Sequence, residues 1–203
     1  MDVQERIAAA LARGVAGGLP GVVGAARLAD GSVVQATAGV RGLDNPSPMT
    51  PDTVFWIASF TKAVTTAAVL QLVEQGLLGL DDPAGRWLPG LARPKVLTGF
   101  DAQGKPLLVE ATAPVTVRHL LAHTSGLAYD FCNAAFARWR AHVAEIGVAI
   151  DPARGDAPLV FQPGAGWTYG VGLDWAGELV AAVSGRTLDV YLKGEVFGPL
   201  AMT

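Results

Sequence analysis

The chain has one cysteine, few charged residues and no long apolar run, and each of these scarcities excludes a class of protein. Its single cysteine, Cys132, has no partner for an intrachain disulfide and forms no redox pair. We expect Cys132 to be a small buried hydrophobic residue. No apolar run has the length of a transmembrane helix. Residues 1–6 carry acids where a signal peptide is positively charged, so we expect a soluble cytoplasmic protein without membrane contact.

Charge is scarce as well: 15 Lys and Arg face 18 Asp and Glu, for a net charge of −3. The basic residues form no cluster, which excludes the electrostatic footprint of a nucleic-acid-binding protein. Hydrophobic residues make up 51% of the 203 positions, which excludes a disordered chain and suffices for a sizeable core. This length suits one domain or two closely packed ones.

Serine and lysine are also rare, and only Ser59 is followed three residues later by a lysine, Lys62. The apolar segment from Ala63 to Val73 predicts a helix buried nearly all round, which ends at Gly76. Because residues i and i+3 lie on one face of a helix, Ser59 and Lys62 are expected within hydrogen-bond distance.

A serine and a lysine in such a place have a chemical interpretation. Burial lowers the pKa of a lysine, and the neutral amine can then accept the serine proton and create a nucleophile. Free backbone N–H groups in the first helical turn can stabilise an oxyanion on an acyl group attached to Ser59. The alternative is an accidental tetrapeptide, since a short motif alone is weak evidence.

The remaining pattern predicts an α+β chain with most of its strands near the N-terminus. A helix, an antiparallel hairpin and a possible short strand precede Ser59; mostly helices follow, with one small hairpin near 95–110. We therefore expect an N-terminal α/β part at 1–58 and a second part at 59–203 that contains the nucleophile helix and is mostly helical. The expected helices are 2–16, 117–123, 133–148, 173–184 and 188–196; the expected strands are 22–28, 33–40, 53–57, 95–100 and 107–110; residues 151–168 are expected to be loop.

Three segments, 55–62, 72–83 and 117–127, resemble the serine β-lactamase and penicillin-binding-protein superfamily. They are most similar to the branch that holds class C β-lactamases, D-aminopeptidases and family VIII carboxylesterases, and the likeness runs from about residue 20 onwards. The resemblance implies a β-lactamase-like fold, an antiparallel sheet flanked by helices and packed on an all-helical domain. It also implies an acyl-enzyme hydrolase that needs no metal and no cofactor.

The resemblance assigns roles to residues. Ser59 matches the nucleophile of the family and Lys62 the lysine of the same motif. In the stretch 167–175, Tyr169 matches a tyrosine that shares the proton of Ser59 and passes it to the leaving group; the alternative is a loop aromatic that caps the core. The family places asparagine two residues later, where this chain has Val171. Trp167 and Val171 are the candidate substrate-binding residues.

Other candidates are weaker. His119 and His123 have a spacing that can bind metal, but no third ligand accompanies them, and hydrogen bonding at a helix end explains them as well. Ser125 lies outside any G-x-S-x-G motif and is interpreted as structural. An apolar acyl pocket could be walled by the 95–110 hairpin and by three tryptophans: Trp56, Trp139 and Trp167.

We expect a carboxylesterase acting on short-chain esters, because Val171 removes an amide that helps β-lactamases hold their substrate. The alternatives for the same motifs are a β-lactamase, a D-aminopeptidase, another amide hydrolase or an acyltransferase, so the substrate is a small ester or amide. A penicillin-recognising sensor or scaffold that is acylated once is the alternative outside the enzymes. Multiple turnovers of a p-nitrophenyl ester would distinguish the two classes.

The predicted sheet is short of strands, because a bare two-stranded hairpin is marginal in water. The late Lys- or His-x-Gly triad of the family, or its tryptophan variant, has no convincing counterpart here, since Trp175-Ala-Gly falls in a predicted helix. We therefore expect the sheet to be incomplete in this chain. A second polypeptide is expected to supply the C-terminal half of the fold and the second oxyanion donor.

Overall fold

The computed structural model describes residues 2–44, 46–150 and 155–202. The chain divides into two compact units, Met1–Ile57 and Ala58–Thr203. Their assignment to the two domains of the family stays a prediction. No helix in the described part of the chain combines the length and the apolar character that a membrane crossing requires.

The first unit is a helix packed on a hairpin. Helix α1 spans Val3–Ala16 and begins with a capping box, in which Asp2 and Glu5 each accept a hydrogen bond from the other's backbone N–H. Strands β1 (Gly21–Arg27) and β2 (Val33–Gly39) pair antiparallel. The helix contacts both strands. The predicted helix and hairpin are thus confirmed.

The short strand predicted at 53–57 is wrong, because this segment runs without secondary structure. Val54 and Trp56 are each 95% exposed. Their β-branched and aromatic side chains suit a strand, but a strand also needs a neighbour to pair with its backbone. No strand among the described residues pairs with this segment.

The second unit is mostly helical and contains one hairpin. A 3₁₀ turn, Ala58–Phe60, precedes helix α2. The other short elements are 3₁₀ turns at Ala84–Arg86, Pro89–Leu91 and Asp130–Cys132. The regular elements are α2 (Thr61–Glu74), β3 (Lys95–Phe100), β4 (Pro106–Glu110), α3 (Val117–Leu121), α4 (Ala134–Glu145), α5 (Gly172–Ser184) and α6 (Leu188–Leu192), which continues as a π-helical turn, Lys193–Phe197.

Helix α5 lies at the centre of the main core, in contact with α2, α3 and α6. Its buried residues are mostly apolar, and it ends at Gly185, which has the left-handed conformation that favours glycine. A smaller core cluster lies under α4, where Phe136, Trp139 and Val143 form the predicted buried face. The main core includes Ala68, Val69, Leu72, Leu120, Leu179 and Tyr191.

Three expectations about this unit are wrong. Helix α2 is not buried all round: Ala63, Ala67 and Leu70 are exposed, because α5 and α6 cover the opposite face. Helix α3 ends at Leu121 rather than at 123, since His123 has a positive φ of 57° that ends a right-handed helix. Cys132 is exposed rather than buried, at the end of a 3₁₀ turn. Residues 151–154 of the predicted loop lie outside the described residues.

Candidate active site

Ser59 lies in the 3₁₀ turn and not, as expected, in the first turn of an α-helix. Ala58, just before it, has a φ of 45°, which is uncommon for a residue other than glycine. Such backbone strain clusters at functional sites. Lys62 is the second residue of α2, and no side chain caps the N-terminus of that helix. Its first N–H groups are therefore not satisfied by a capping side chain.

The structure brings Ser59, Lys62 and Tyr169 together. The Tyr169 hydroxyl donates a hydrogen bond to Ser59 Oγ at 2.6 Å. Lys62 Nζ donates to the same oxygen at 3.2 Å. One serine oxygen thus lies within hydrogen-bond distance of two titratable groups, an arrangement in which a nucleophile can exchange its proton with a neighbour.

The charge state of Lys62 differs from the expectation. Burial lowers its pKa, but the hydrogen bond with Tyr169 and the nearby Tyr129 outweigh burial, so the pKa of Lys62 is raised. The hydrogen bond from Lys62, together with that to Ser59, lowers the pKa of Tyr169. These two directions favour an ammonium at Lys62 and ease the loss of the phenol proton from Tyr169.

Close contact between two loops places Tyr169. Thr168 N donates to the carbonyl of His123 at 3.1 Å, and Tyr129 N donates to the carbonyl of Tyr169 at 3.3 Å. At Gly170 a Cβ atom would lie 2.0 Å from the Leu127 carbonyl oxygen, so only glycine permits this approach. The segment before α5 is thus held against the segment after α3.

Tyr129 and Asp174 are site residues that the sequence analysis missed. Lys62 Nζ lies 5.6 Å from the centroid of the Tyr129 ring and 4.9 Å from that of Tyr169. The Tyr129 hydroxyl donates to Asp174 Oδ2 at 3.1 Å. Burial and the charge of Asp174 raise the pKa of Tyr129. The one sequence feature that could have pointed to Tyr129 is the rarity of tyrosine, since the chain has only three.

The two predicted histidines lie in different places. His119 Nδ1 accepts a hydrogen bond from Thr116 N at 3.2 Å and so caps α3. This agrees with the alternative prediction of hydrogen bonding at a helix end. The His123 ring lies 4.8 Å from the Tyr169 ring, and its buried Nδ1 has no hydrogen-bond partner among the described residues. Burial, followed by the charge of Lys62, lowers the pKa of His123. No group of three potential metal ligands occurs among the described residues.

The predicted pocket residues have different surroundings. Trp167 is 66% exposed and contacts the His123 ring edge-on, with 6.0 Å between centroids. Val171 precedes α5 and, with Trp139 and Tyr129, lines a cavity of about 140 Å³. Trp56 belongs to the first unit. Ser125 is fully buried and accepts a hydrogen bond from Leu127 N at 3.2 Å, consistent with the structural interpretation.

Similarity to known proteins identifies the family of the chain. The profile of the family described as Beta-lactamase matches residues 5–203. The chain therefore belongs to this family, within the superfamily of serine β-lactamases and penicillin-binding proteins. The resemblance in its three sequence segments is confirmed.

Curated relatives include esterases and acyltransferases. Lovastatin esterase from Penicillium rubens is 43% identical over 159 residues, which cover 77% of this chain and 40% of that protein. Monacolin J acid methylbutanoyltransferase from Aspergillus terreus is 41% identical over 158 residues, covering 77% of this chain and 38% of that protein. The chain thus spans about 40% of the length of these relatives.

Solved structures confirm the β-lactamase-like α+β fold. The unliganded simvastatin synthase LovD from Aspergillus terreus matches with a TM-score of 0.87 at 36% identity, covering 100% of this chain and 54% of that chain. EstCE1, a hydrolase with promiscuous acyltransferase activity, matches with a TM-score of 0.73 at 26% identity, covering 98% of this chain and 51% of that chain.

Proposed function

We propose that this chain carries the nucleophile of a serine acyl hydrolase or acyltransferase, with Ser59 as the residue that is acylated. The observation that carries the proposal is the placement of Tyr169 Oη at 2.6 Å and Lys62 Nζ at 3.2 Å from Ser59 Oγ. Sequence relatives named as an esterase and as acyltransferases support the same chemistry.

In the proposed mechanism Tyr169 first loses its phenol proton to solvent, which its lowered pKa favours. The phenolate then accepts the proton of Ser59 as Oγ attacks the ester carbonyl. Lys62 remains an ammonium and stabilises the phenolate. The Ser59 backbone N–H is proposed as one donor to the oxyanion of the tetrahedral intermediate. Tyr169 then returns the proton to the leaving alcohol, which leaves an acyl ester on Ser59.

The second half of the cycle decides between hydrolysis and transfer. If water attacks the acyl-Ser59 ester, its proton passes to Tyr169 and from there to Ser59 Oγ as the bond between the acyl carbon and Oγ breaks, and the products are an acid and the free enzyme. If a second alcohol attacks in the same way, the acyl group is transferred to it. Relatives named as an esterase and as an acyltransferase both match this chain, which supports either acceptor.

The finer proposal is a carboxylesterase for short-chain esters. The cavity beside Val171 measures about 140 Å³, close to the roughly 150 Å³ apolar cavity that holds a benzene molecule in another protein. Its walls combine apolar Leu127, Phe136 and Trp139 with the paired Asp130 and Arg140. We propose this cavity as the place of a small apolar acyl group. Val171 and Trp167 are proposed to contact the substrate. The cytoplasmic location remains a prediction from the sequence.

Polypeptide outside these 203 residues is proposed to complete the pocket, as a second chain corresponding to the later part of the longer relatives. The support is an apolar face that the described part of the chain leaves uncovered. Phe60 is 79% exposed, and three residues of α2 are exposed as well: Ala63, Ala67 and Leu70. Apolar faces of this kind mark interaction surfaces.

Active-site labelling tests the nucleophile. A fluorophosphonate should form an adduct on Ser59, mapped by peptide mass, and Ser59→Ala should abolish labelling. Ser184→Ala, a matched change at the end of α5, should label as the wild type does. An adduct on Ser125 or Ser184 with Ser59 unmodified would overturn the assignment.

A substrate panel tests the acyl chemistry. The kcat/KM for p-nitrophenyl butyrate should exceed that for nitrocefin and for a D-peptide, because Val171 offers no amide to hold a β-lactam. Faster turnover of nitrocefin would overturn the ester preference. A single burst without steady-state release would instead support the sensor. Adding a primary alcohol and measuring the ratio of ester to acid products separates transferase from hydrolase.

A further inference from the structure

The carboxylate of Asp174 has its hydrogen-bond partner outside its own helix. Asp174 is the third residue of α5, a position where an acid often joins a capping box with a serine or threonine at the N-cap. The N-cap here is Val171, which has no side chain to share in such a box. The carboxylate instead accepts the hydrogen bond of the Tyr129 hydroxyl at 3.1 Å. Its partner is therefore a residue of the active site.

The direction of this hydrogen bond constrains Lys62. A carboxylate only accepts hydrogen bonds, and a tyrosine hydroxyl has a single proton to donate. With that proton directed to Asp174, the Tyr129 oxygen can face Lys62 only as an acceptor. An ammonium can only donate hydrogen bonds. Any hydrogen bond between Lys62 and Tyr129 therefore runs from Lys62 to Tyr129, in the same direction as the one from Tyr129 to Asp174.

We propose that Asp174 is a positioning residue that holds Lys62 toward Ser59 by fixing the hydroxyl of Tyr129 as a hydrogen-bond acceptor. This inference rests on the proposed function of Ser59. Lys62 Nζ donates to Ser59 Oγ at 3.2 Å and lies 5.6 Å and 4.9 Å from the ring centroids of Tyr129 and Tyr169. A Tyr129 hydroxyl whose proton is directed to Asp174 turns its lone pairs, and not its proton, toward this cation.

Among the described residues, Asp174 is the one side chain that accepts a hydrogen bond from the Tyr129 hydroxyl. Phe131 stacks on its ring, with centroids 5.0 Å apart and planes 13° apart. The neighbouring Asp130 is engaged with Arg140 of α4 at 2.6 Å. The titratable groups that face Tyr129 or Lys62 are Asp174 from α5, Tyr169 from the loop before it, and His123 from the loop after α3.

The electrostatics agree with this coupling. Burial and then Asp174 raise the pKa of Tyr129, while Lys62 lowers it. Tyr129 in turn contributes to the raised pKa of Lys62. Removing the charge of Asp174 should therefore lower the pKa of Tyr129, and a hydroxyl free to rotate should hold Lys62 less well.

The test is the isosteric variant Asp174→Asn, measured by NMR titration of protein labelled with ¹³C at the tyrosine Cζ. The chain has three tyrosines, so each resonance can be assigned by a Tyr→Phe change. The expected result is a lower pKa for Tyr129 and a rate of Ser59 labelling by fluorophosphonate reduced about tenfold. Tyr191, which lies in the core near Glu195, serves as the internal reference and should not move.

Two controls separate positioning from a structural role. Glu178→Gln removes an exposed carboxylate one turn further along α5 and should leave both readouts unchanged. In a Tyr129→Phe background, Asp174→Asn should have no further effect on labelling, because the hydroxyl that joins Asp174 to the site is already absent. Equal effects of Asp174→Asn and Glu178→Gln would overturn the proposal, as would an undiminished effect without the Tyr129 hydroxyl.

The failure of the proposed function would look different. If wild-type Ser59 took no label, the acylation chemistry would be wrong. The tyrosine titration would still report whether Asp174 acts on Tyr129. An unchanged Tyr129 pKa in Asp174→Asn, with Ser59 labelling intact, would refute the positioning role alone.

Discussion

At the scale of single residues, the proposed mechanism depends on a cation that stays charged. Lys62 lowers the pKa of Tyr169 mainly through a hydrogen bond, and the tyrosine is proposed as the base for Ser59. In this proposal the phenol, and not the ammonium, loses the proton needed for catalysis. This assignment makes the pH dependence of acylation a property of Tyr169.

The variant Lys62→Met should raise the pKa of Tyr169, because the largest cause of its lowering disappears. In the wild type, acylation should rise with pH around a midpoint below the ordinary tyrosine value of about 10. In Lys62→Met the midpoint should move to higher pH, and kcat should fall by about 10²–10⁴. The measurement is the pH profile of p-nitrophenyl ester turnover.

Lys193→Met removes an exposed lysine from the π-helical turn after α6 and is the matched control, with an unchanged profile expected. A midpoint that moves to lower pH in Lys62→Met would contradict the proposed roles. It would point instead to a neutral lysine as the base, which is the role that burial alone predicts for Lys62.

Part of this site could be predicted from the sequence. Ser59 and Lys62 share one local motif, and Tyr169 lies in a recognisable stretch; the structure brings the three together. Their proton assignment could not be predicted, since the pKa of Lys62 depends on Tyr129, which belongs to another segment. The contact between Tyr129 and Asp174 could not be predicted either, because the two residues belong to different segments and no local spacing relates them.

At the scale of elements, the sequence pattern predicts correctly those helices and hairpins whose position depends on local interactions. The hairpins and most helices lie where periodicity and turn residues placed them. The errors concern features that depend on distant neighbours. The segment 53–57 lacks a pairing strand, α2 has an uncovered face at Leu70, and His123 ends α3 through its backbone conformation.

The contact between the two active-site loops gives a prediction at this scale. In Gly170→Ala the new Cβ would lie 2.0 Å from the Leu127 carbonyl oxygen and 2.6 Å from Ala128 Cα, so the loops must separate. The free energy of unfolding should fall by about 1–3 kcal/mol, as for other overpacked sites. Ser59 labelling should slow as well, because Tyr169 moves with the loop. Urea unfolding and fluorophosphonate kinetics measure the two effects.

Gly42→Ala provides the control, since a Cβ there meets no atom within 4 Å. Its effect on stability should stay within about 0.5 kcal/mol. If Gly170→Ala were equally neutral in both measurements, close contact of the loops would not be what places Tyr169.

At the scale of the whole molecule, the two compact units differ in their cores. Both hydrophobic clusters belong to the unit Ala58–Thr203. Helix α1 of the other unit has no buried residue, and Met49 is the one buried apolar side chain among the described residues of that unit. Its sheet has two strands in the part of the chain that the structure describes, and a sheet of two strands is marginal in water without further cover.

This difference predicts unequal stability of the two units when each is produced alone. Residues 58–203 should unfold in urea in one cooperative transition, with a slope of about 1–3 kcal/mol per M, because they retain both core clusters. Residues 1–57 should show no cooperative transition by far-UV circular dichroism, since a chain of this size with so small a core is marginal. The full chain, measured in parallel, gives the reference transition. A steep transition of 1–57 alone would mean that its α1 and hairpin form a sufficient core, and the uneven distribution of stability proposed for the molecule would be wrong.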